Sequence, residues 1–314
     1  YDQLHQETKA LLRELMEIPE DYEILFIQGG GSTQFLMTAA NFHTKARAAY
    51  INTGVWSKKA MAEAKFYGEA YEAASSADKN HSYIPSEYTI KPDTSYVHIT
   101  SNNTIYGTEW QSFPKFEVPV ICDMSSDILS RRVNVADFDL IYAGAQKNLA
   151  PAGVTFVIVR EDILGKVSRH IPTMLDYRTH VENGSMFNTP PVLPVYTAVL
   201  TLRWLKKNGG VEWVMKRNIE KANLLYECLD NSRIFTATIL DKEDRSRMNI
   251  CFVPKPEYEA LADEFMAFAT ARGMVGIKGH RLVGGFRASC YNAMDVEGVQ
   301  ALVDCIHDFE KDKL

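Results

Sequence analysis

The sequence contains no apolar run of about 18 residues, the length that a membrane-spanning helix requires, and no signal-peptide pattern. Positive charge is not in excess, because 34 Lys and Arg are set against 40 Asp and Glu and the formal net charge is −6. Cysteines are few, odd in number and without a CxxC pair: Cys122, Cys228, Cys251, Cys290 and Cys305. These absences predict a cytoplasmic protein with no membrane segment, no nucleic-acid partner, no disulfide framework and no metal site.

The length of 314 residues exceeds the size at which a single hydrophobic core stops growing, so two domains are expected. Strand and helix patterns alternate in the first part of the chain, with strands predicted at 22–27, 47–52, 69–74, 96–100, 118–122, 139–142 and 154–159. This alternation is typical of a mostly parallel sheet with helices on both faces. Near Lys206 the pattern changes to amphipathic helices around a short strand. We therefore predict an α/β protein with a large sheet domain at 1–214 and a smaller α+β domain at 215–314.

Lys147 lies between two apolar runs, on a turn rich in small residues that extends to Gly153. Burial disfavours the ammonium form of a lysine and lowers its pKa, and this is how a lysine becomes a nucleophile. A lysine at an exposed loop tip is the alternative interpretation.

Three further polar segments follow predicted strands. Gln28-Gly-Gly-Gly-Ser-Thr33 joins a strand to a helix predicted at 34–41, and such a turn either cradles an anion or is an ordinary connection. It has neither the G-x-G-x-x-G pattern nor a Walker lysine, so a nucleotide is not indicated. Asn102–Thr104 and Asp123 also follow strands. Because ligands collect beyond the carboxyl ends of parallel strands, we expect these segments to converge with Lys147.

Asp123 and Trp56 each allow a structural and a functional interpretation. The aspartate could cap a helix, or its carboxylate could keep a heteroaromatic nitrogen protonated, as the pyridinium ring of pyridoxal phosphate requires. The tryptophan could be a buried core residue or a flat stacking surface for that ring.

A cationic cluster of His280, Arg281 and Arg287 lies among glycines near the end of this acidic chain. Arginine is suited to bidentate recognition of carboxylate and phosphate groups. The cluster is either a solvated surface or an anion-binding site.

Several motifs together resemble the phosphoserine aminotransferase family. The central one is Ala143-Gly-Ala-Gln-Lys-Asn148 with Pro151-Ala-Gly153. The others are Gly29-Gly-Gly-Ser-Thr-Gln-Phe35, Thr53-Gly-Val-Trp56, Asn103-Thr-Ile-Tyr-Gly107, Asp123-Met-Ser-Ser-Asp-Ile-Leu-Ser130, Phe187-Asn-Thr-Pro-Pro191, Arg245-Ser-Arg-Met-Asn249 and Lys278-Gly-His-Arg-Leu-Val-Gly-Gly-Phe-Arg287. They occur in order along nearly the whole chain.

This resemblance implies the aspartate-aminotransferase-like fold, type I of the pyridoxal-phosphate enzymes, in a homodimer with shared active sites. Lys147 would bind the cofactor covalently, and Asp123 would pair with its ring nitrogen. The other implied cofactor contacts are Trp56, Thr104, Gln146, Gly31 and Ser32, with Asn188 and Thr189 from the second subunit. His280, Arg281 and Arg287 would bind the substrate, partly across the dimer.

The implied reaction is reversible transamination of 3-phosphohydroxypyruvate with L-glutamate, which yields O-phosphoserine and 2-oxoglutarate in serine biosynthesis. The same chemistry on an intermediate of pyridoxine biosynthesis is a second implied activity. Members of the family begin with a segment that holds a Ser-Ala-Gly-Pro motif and a His-Arg pair, and this sequence begins after both. We therefore expect a substrate-binding arginine to be missing from it.

Three alternatives remain open at this point. An alanine–glyoxylate aminotransferase or a cysteine desulfurase would keep Asp123 and Lys147, but neither explains the cationic cluster, and a desulfurase needs a mobile cysteine. A catalytically inactive fragment that serves as a binding or scaffold protein is the third. It predicts no cofactor uptake, or uptake without turnover.

Overall fold

The computed structural model describes all residues from Tyr1 to Leu314. Its helices are α1 (Asp2–Met16), α2 (Gly30–Phe42), α3 (Val55–Ala64), α4 (Tyr177–Glu182), α5 (Val192–Lys207), α6 (Gly210–Asn231), α7 (Ala262–Ala271) and α8 (Val296–Lys313). Its strands are β1 (Tyr22–Ile27), β2 (Arg47–Asn52), β3 (Glu69–Ser75), β4 (Thr94–Thr100), β5 (Val120–Asp123), β6 (Leu140–Gly144), β7 (Thr155–Arg160), β8 (Phe235–Ala237), β9 (Asn249–Pro254) and β10 (Phe286–Ser289). None of the helices combines the length and the apolar character that a membrane span needs.

The larger sheet has seven strands in the order β1-β7-β6-β5-β4-β2-β3. Strands β3, β2, β4, β5 and β6 pair in parallel, whereas β7 is antiparallel to both of its neighbours, β6 and β1. Six strands therefore run in one direction and end at one edge. The predicted α/β class with a mostly parallel sheet is confirmed.

Both faces of this sheet are covered, as the alternation of side chains along β1 illustrates. Ile24 and Phe26 belong to one core, together with residues of α1 and α5. Leu25 and Ile27 belong to a second core, together with residues of α2 and α3. Successive side chains of a strand point to opposite faces, so a strand buried on both faces reads as a continuous apolar run.

A second, three-stranded antiparallel sheet has the order β10-β9-β8, and α6, α7 and α8 pack on it. Its core includes residues from Ala222 to Phe309. Helix α6 contributes Val211 and Val214 to a core of the larger sheet and Leu225 to this one, so it spans the predicted boundary. The division at residue 214 stays a prediction.

The smaller core is built on phenylalanines around Phe265, whose ring centroid lies 4.5 Å from Phe235, 4.9 Å from Phe286 and 5.1 Å from Phe309. Phe265→Ala is expected to lower the free energy of unfolding by about 3–5 kcal/mol, because it leaves a cavity among side chains that cannot fully collapse. Urea denaturation measures the change. Phe66→Ala is the control, since that ring is 81% exposed and its removal should change stability by less than about 0.5 kcal/mol. Equal losses in both variants would contradict the assignment of this core.

Several element bounds differ from the predictions. Helix α2 begins at Gly30, earlier than the predicted residue 34. A 3₁₀ segment, Pro256–Leu261, precedes α7, which becomes α-helical only at Ala262. The short strands β8 and β10 were not predicted, because three or four residues are too few to establish a period of two.

Candidate functional site

A cavity opens at the carboxyl ends of the parallel strands. It encloses about 610 Å³ between its walls, including its open mouth. Its lining comprises Gly29, Gly30, Gly31, Ser32, Phe35, Trp56, Thr100, Asn102, Thr104, Asp123, Ser125, Ser126, Gln146 and Lys147. The predicted convergence of the strand-end segments is therefore present in the structure.

Lys147 extends into this cavity from the turn between β6 and β7. The turn is closed by main-chain hydrogen bonds, among them one from the N–H of Ala145 to the carbonyl of Val154. The lysine Nζ donates a hydrogen bond to Thr104 Oγ1 at 2.6 Å. Burial lowers the pKa of Lys147, Asp123 opposes that shift and Arg287 adds to it. The lysine is thus not at an exposed loop tip, and its amine is poised to act as a nucleophile.

Asp123 ends β5 and is buried. Its Oδ1 accepts a hydrogen bond from the N–H of Ser125 at 2.9 Å, and Ser125 Oγ accepts one from the N–H of Gly144 at 3.1 Å. Burial raises the pKa of Asp123, while Lys147 and hydrogen bonds from Ser125 and Tyr142 oppose the rise. The carboxylate therefore caps a turn and opposes the lowering of the pKa of Lys147, while its pairing with a ring nitrogen stays a prediction.

The glycine turn forms the start of α2, so that Gly31 and Ser32 lie in its first turn. Gly29 and Gly30 have φ angles of 101° and 67°, in the left-handed region that favours glycine. A Cβ added at Gly30 would meet nothing within 4 Å, so the approach to the main chain is open there. The unpaired N–H groups and the partial positive charge of the helix start make this end of the cavity suited to an anion.

Trp56 lies in the first turn of α3, and its ring faces the cavity. The Nζ of Lys147 is 5.5 Å from the ring centroid, and the Nζ of Lys59 is 5.0 Å from it. The ring also packs against the second core of the sheet, and its buried Nε1 has no hydrogen-bond partner. Trp56 is therefore a partly buried residue that packs against this core and also lines the cavity.

Arg287, on β10, does not line the cavity but contacts Thr104, which does. Its Nη1 donates a hydrogen bond to the carbonyl of Thr104 at 3.1 Å, and its buried Nε has no partner. His280 and Arg281 lie on the loop before β10 and do not line the cavity. Burial lowers the pKa of His280, and the charges of Arg287 and Arg281 lower it further, which favours the neutral imidazole.

Asn188 and Thr189 are not in the cavity of their own chain. Asn188 lines a separate pocket with Gln28 and Thr33, and Gln28 Nε2 donates a hydrogen bond to the carbonyl of Thr189 at 2.7 Å. Of the predicted cofactor contacts, these two are the ones that the fold leaves outside the cavity.

Sequence reasoning did not select four residues that line the cavity: Phe35, Thr100, Ser125 and Ser126. For Ser125, a signal was present in the sequence. A serine two positions after a strand-end aspartate is placed for an Asx turn. No group of three or more His, Cys, Asp or Glu residues is arranged to hold a metal ion.

Together these groups suit a flat, phosphorylated aldehyde. The amine can bind the aldehyde carbon, the indole can stack on a ring, the carboxylate can pair with a protonated ring nitrogen, and the helix start can hold a phosphate.

The comparisons with known proteins agree with this chemistry. The family model for class-V aminotransferases matches residues 1–302. The phosphoserine aminotransferase of Bacteroides thetaiotaomicron is 60% identical over 305 residues, which are 97% of this chain and 85% of that protein.

Solved structures provide the same result. A phosphoserine aminotransferase from Bacillus circulans subsp. alkalophilus superposes with a TM-score of 0.96 at 44% identity, over 100% of this chain and 88% of that one. A phosphoserine aminotransferase from Trichomonas vaginalis with bound PLP superposes with a TM-score of 0.92 at 36% identity, over 97% and 87% of the two chains. The predicted fold type I is thus confirmed. The chain belongs to the class-V aminotransferase family, and its resemblance to the phosphoserine aminotransferases is confirmed.

Proposed function

We propose that this protein is a pyridoxal-phosphate-dependent phosphoserine aminotransferase. It transfers the amino group of L-glutamate reversibly to 3-phosphohydroxypyruvate, with O-phosphoserine and 2-oxoglutarate as the products. The observation that carries this proposal is the lowered pKa of the Lys147 amine, which lies in the cavity between Asp123 and Trp56 and donates its hydrogen bond to Thr104.

The residues of the cavity fit the cofactor. Lys147 would hold its aldehyde carbon, Trp56 would stack on its ring, and Asp123 would pair with the ring nitrogen. Thr104 and Gln146 would contact the ring substituents, while Gly31 and Ser32 would hold the phosphate at the start of α2. The buried Nε1 of Trp56 is a hydrogen-bond donor without a partner in the chain. When bound, the cofactor supplies an electron sink for the α-carbon of the substrate.

Lys147 performs the proton chemistry. Its amine, once free, would take the proton from the substrate α-carbon and hold it for return as general base and acid. The lowered pKa of this lysine favours the neutral form that accepts a proton. Burial raises the pKa of Asp123, while the charge of Lys147 and hydrogen bonds from Ser125 and Tyr142 oppose the rise.

The cationic cluster supports a phosphorylated, acidic substrate. Arg287 Nε is buried and unpartnered beside Thr104, which lines the cavity. A planar guanidinium in that position suits a carboxylate. His280 and Arg281, on the loop before β10, are assigned to the substrate phosphate, partly across a dimer.

A homodimer with shared sites accounts for the residues outside the cavity. Asn188 and Thr189 precede α5, which exposes the apolar side chains of Val192, Leu193, Tyr196 and Leu200 on one side. Contiguous apolar surface of this kind favours association. In this proposal Asn188 and Thr189 reach the cofactor phosphate of the second subunit.

The alternative of a cysteine desulfurase is disfavoured by the thiols. All five cysteines are buried and free. Burial raises the pKa of Cys290 to about 11 and of Cys228 and Cys251 to about 12, which disfavours the reactive thiolate. Free thiols also support the proposed cytoplasmic location.

An absorbance experiment tests the function. The purified protein with pyridoxal phosphate is expected to show a visible band that both L-glutamate and O-phosphoserine convert to the pyridoxamine form. L-Serine is the matched control, because it lacks only the phosphate and should require far higher concentrations. A band that responds equally to serine and O-phosphoserine would contradict phosphate recognition. Absence of the band would contradict the cofactor assignment.

A further inference from the structure

Three buried asparagines lie behind the turn that carries Lys147. Asn148 is the next residue of that turn, Asn218 is on α6, and Asn292 follows β10. Their exposed fractions are 7%, 1% and 3%. None of them lines the cavity. Buried amides must be hydrogen-bonded to be tolerated, so their partners indicate what they hold in place.

The partners are three successive main-chain carbonyls of the loop after β5. Each side-chain Nδ2 donates to one carbonyl: Asn148 to Ile128 at 2.6 Å, Asn292 to Leu129 at 2.9 Å and Asn218 to Ser130 at 2.9 Å. The amides are also linked to each other. The N–H of Asn292 donates to Asn148 Oδ1 at 2.8 Å, and Asn218 Nδ2 donates to Asn292 Oδ1 at 2.9 Å. We call Asn148, Asn292 and Asn218 the asparagine clamp.

The loop after β5 contains a backbone conformation that contacts from outside the loop must stabilise. Leu129 has a φ angle of 59°, in the left-handed region that non-glycine residues rarely adopt, and such a conformation persists only where the surroundings enforce it. The same loop begins with Asp123 and carries Ser125 and Ser126 into the cavity. One end of the clamp is thus joined to Lys147 and the other to the segment of Asp123.

We propose that the asparagine clamp consists of positioning residues that set the place of the Lys147 amine relative to Asp123. The clamp also joins the lysine turn to the smaller sheet, because Asn292 follows Arg287 on the same segment by five residues. This inference depends on the proposed aminotransferase function, since it assigns a task to Lys147 in that reaction.

The test uses Asn292→Leu in the 314-residue chain. Leucine has a similar shape but no hydrogen-bonding groups, so it removes the side-chain hydrogen bonds to Leu129 and Asn218. Asn41→Leu is the matched control, because Asn41 is 3% exposed and its Nδ2 donates to the carbonyls of Met37 and Leu175. It lies near the end of α2 that is far from the cavity. Both variants lose comparable buried hydrogen bonds, so thermal unfolding should show similar losses.

Amino transfer from L-glutamate should separate the two variants. For Asn292→Leu we expect kcat to fall by about 10–100-fold, because small misplacement of a reacting group has effects of this size. KM should change by less than about threefold, since substrate binding is retained. Asn41→Leu should leave both constants unchanged.

Cofactor binding to the resting protein provides a readout other than turnover. Asn292→Leu should weaken pyridoxal phosphate binding about tenfold where Lys147 is present, and should have no further effect in a Lys147→Ala background. Such a double-mutant cycle isolates the coupling between the two sites.

A purely structural role would weaken binding equally in both backgrounds, and that result would overturn the proposal. Unchanged kcat in Asn292→Leu would overturn it too. If Asn292→Leu fails to fold, Asn218→Ala replaces it in the double-mutant cycle with Lys147→Ala. This variant removes only the amide of Asn218, so smaller changes in cofactor affinity are expected. Failure of the proposed function would be seen separately, because the unsubstituted protein would then show no absorbance band that depends on Lys147. In that case the clamp proposal fails as well.

Discussion

Lys147→Ala is expected to lower the rate of amino transfer by at least about 10⁴-fold, because general acid–base catalysis alone contributes about 10²–10⁴-fold and the variant also loses the nucleophile. The amine is held in place by its hydrogen bond to Thr104 Oγ1 at 2.6 Å. Burial lowers its pKa, so the neutral amine that the reaction needs is more accessible than in an exposed lysine. Steady-state rates with L-glutamate and 3-phosphohydroxypyruvate measure the effect.

Lys59→Ala is the matched control for charge and location. The Nζ of Lys59 lies 5.0 Å from the same indole ring, but the residue does not line the cavity. Its removal should change the rate by less than about twofold, as expected for an exposed surface substitution. Lys147→Arg should be as inactive as Lys147→Ala, because arginine keeps its proton at all accessible pH values. Activity within tenfold of the parent in either Lys147 variant would exclude this lysine as the catalytic base.

The convergence of the site was predictable from the sequence for a physical reason. Parallel strands end at one edge, so polar segments that follow apolar runs must meet there. Asp123 ends β5, Thr104 follows β4 and Lys147 follows β6, and the three meet in one cavity. Each motif can be recognised locally in the sequence, and the topology of the sheet brings the motifs together in space.

The contacts that hold the site together were not predictable in the same way. The asparagine clamp joins residues 128–130, 148, 218 and 292, and no periodicity connects positions so far apart in the chain. The start of α2 was placed four residues late, because glycine has low helix propensity and the left-handed Gly29 begins the helix in spite of it. Asn188 and Thr189 lie outside the cavity of their own chain, so their predicted role depends on a second subunit.

Asp123→Asn is expected to lower kcat by about 10²–10³-fold or more, the range seen when one preorganised electrostatic group is removed from an active site. Asparagine keeps the shape of the side chain, and its oxygen can still accept the hydrogen bond from the N–H of Ser125. It lacks the negative charge that keeps the ring nitrogen of the cofactor protonated. The loss should therefore appear in the chemical step, with KM for L-glutamate nearly unchanged.

The same substitution should not lower the stability of the cofactor-free protein. The pKa of Asp123 is raised in the folded state, chiefly by burial, so the folded protein binds this proton more tightly than the unfolded chain does. The ionised carboxylate is thus unfavourable for folding at neutral pH. That penalty vanishes as the pH falls through the folded-state pKa towards the unfolded value. Asp123→Asn removes it, so the melting temperature at pH 7 should stay the same or rise.

Asp139→Asn is the control with the opposite outcome. Asp139 is also buried, but it lies at the amino end of β6, where it accepts the N–H of Val120 at 2.6 Å and pairs with Arg160 at 2.7 Å. Loss of its charge should lower the free energy of unfolding by about 1–2 kcal/mol and leave kcat unchanged. A crossed pattern is therefore expected, with activity lost at Asp123 and stability lost at Asp139. If Asp123→Asn instead lost stability and kept kcat, the carboxylate would serve the fold alone, and the ring nitrogen would have to be held by another group.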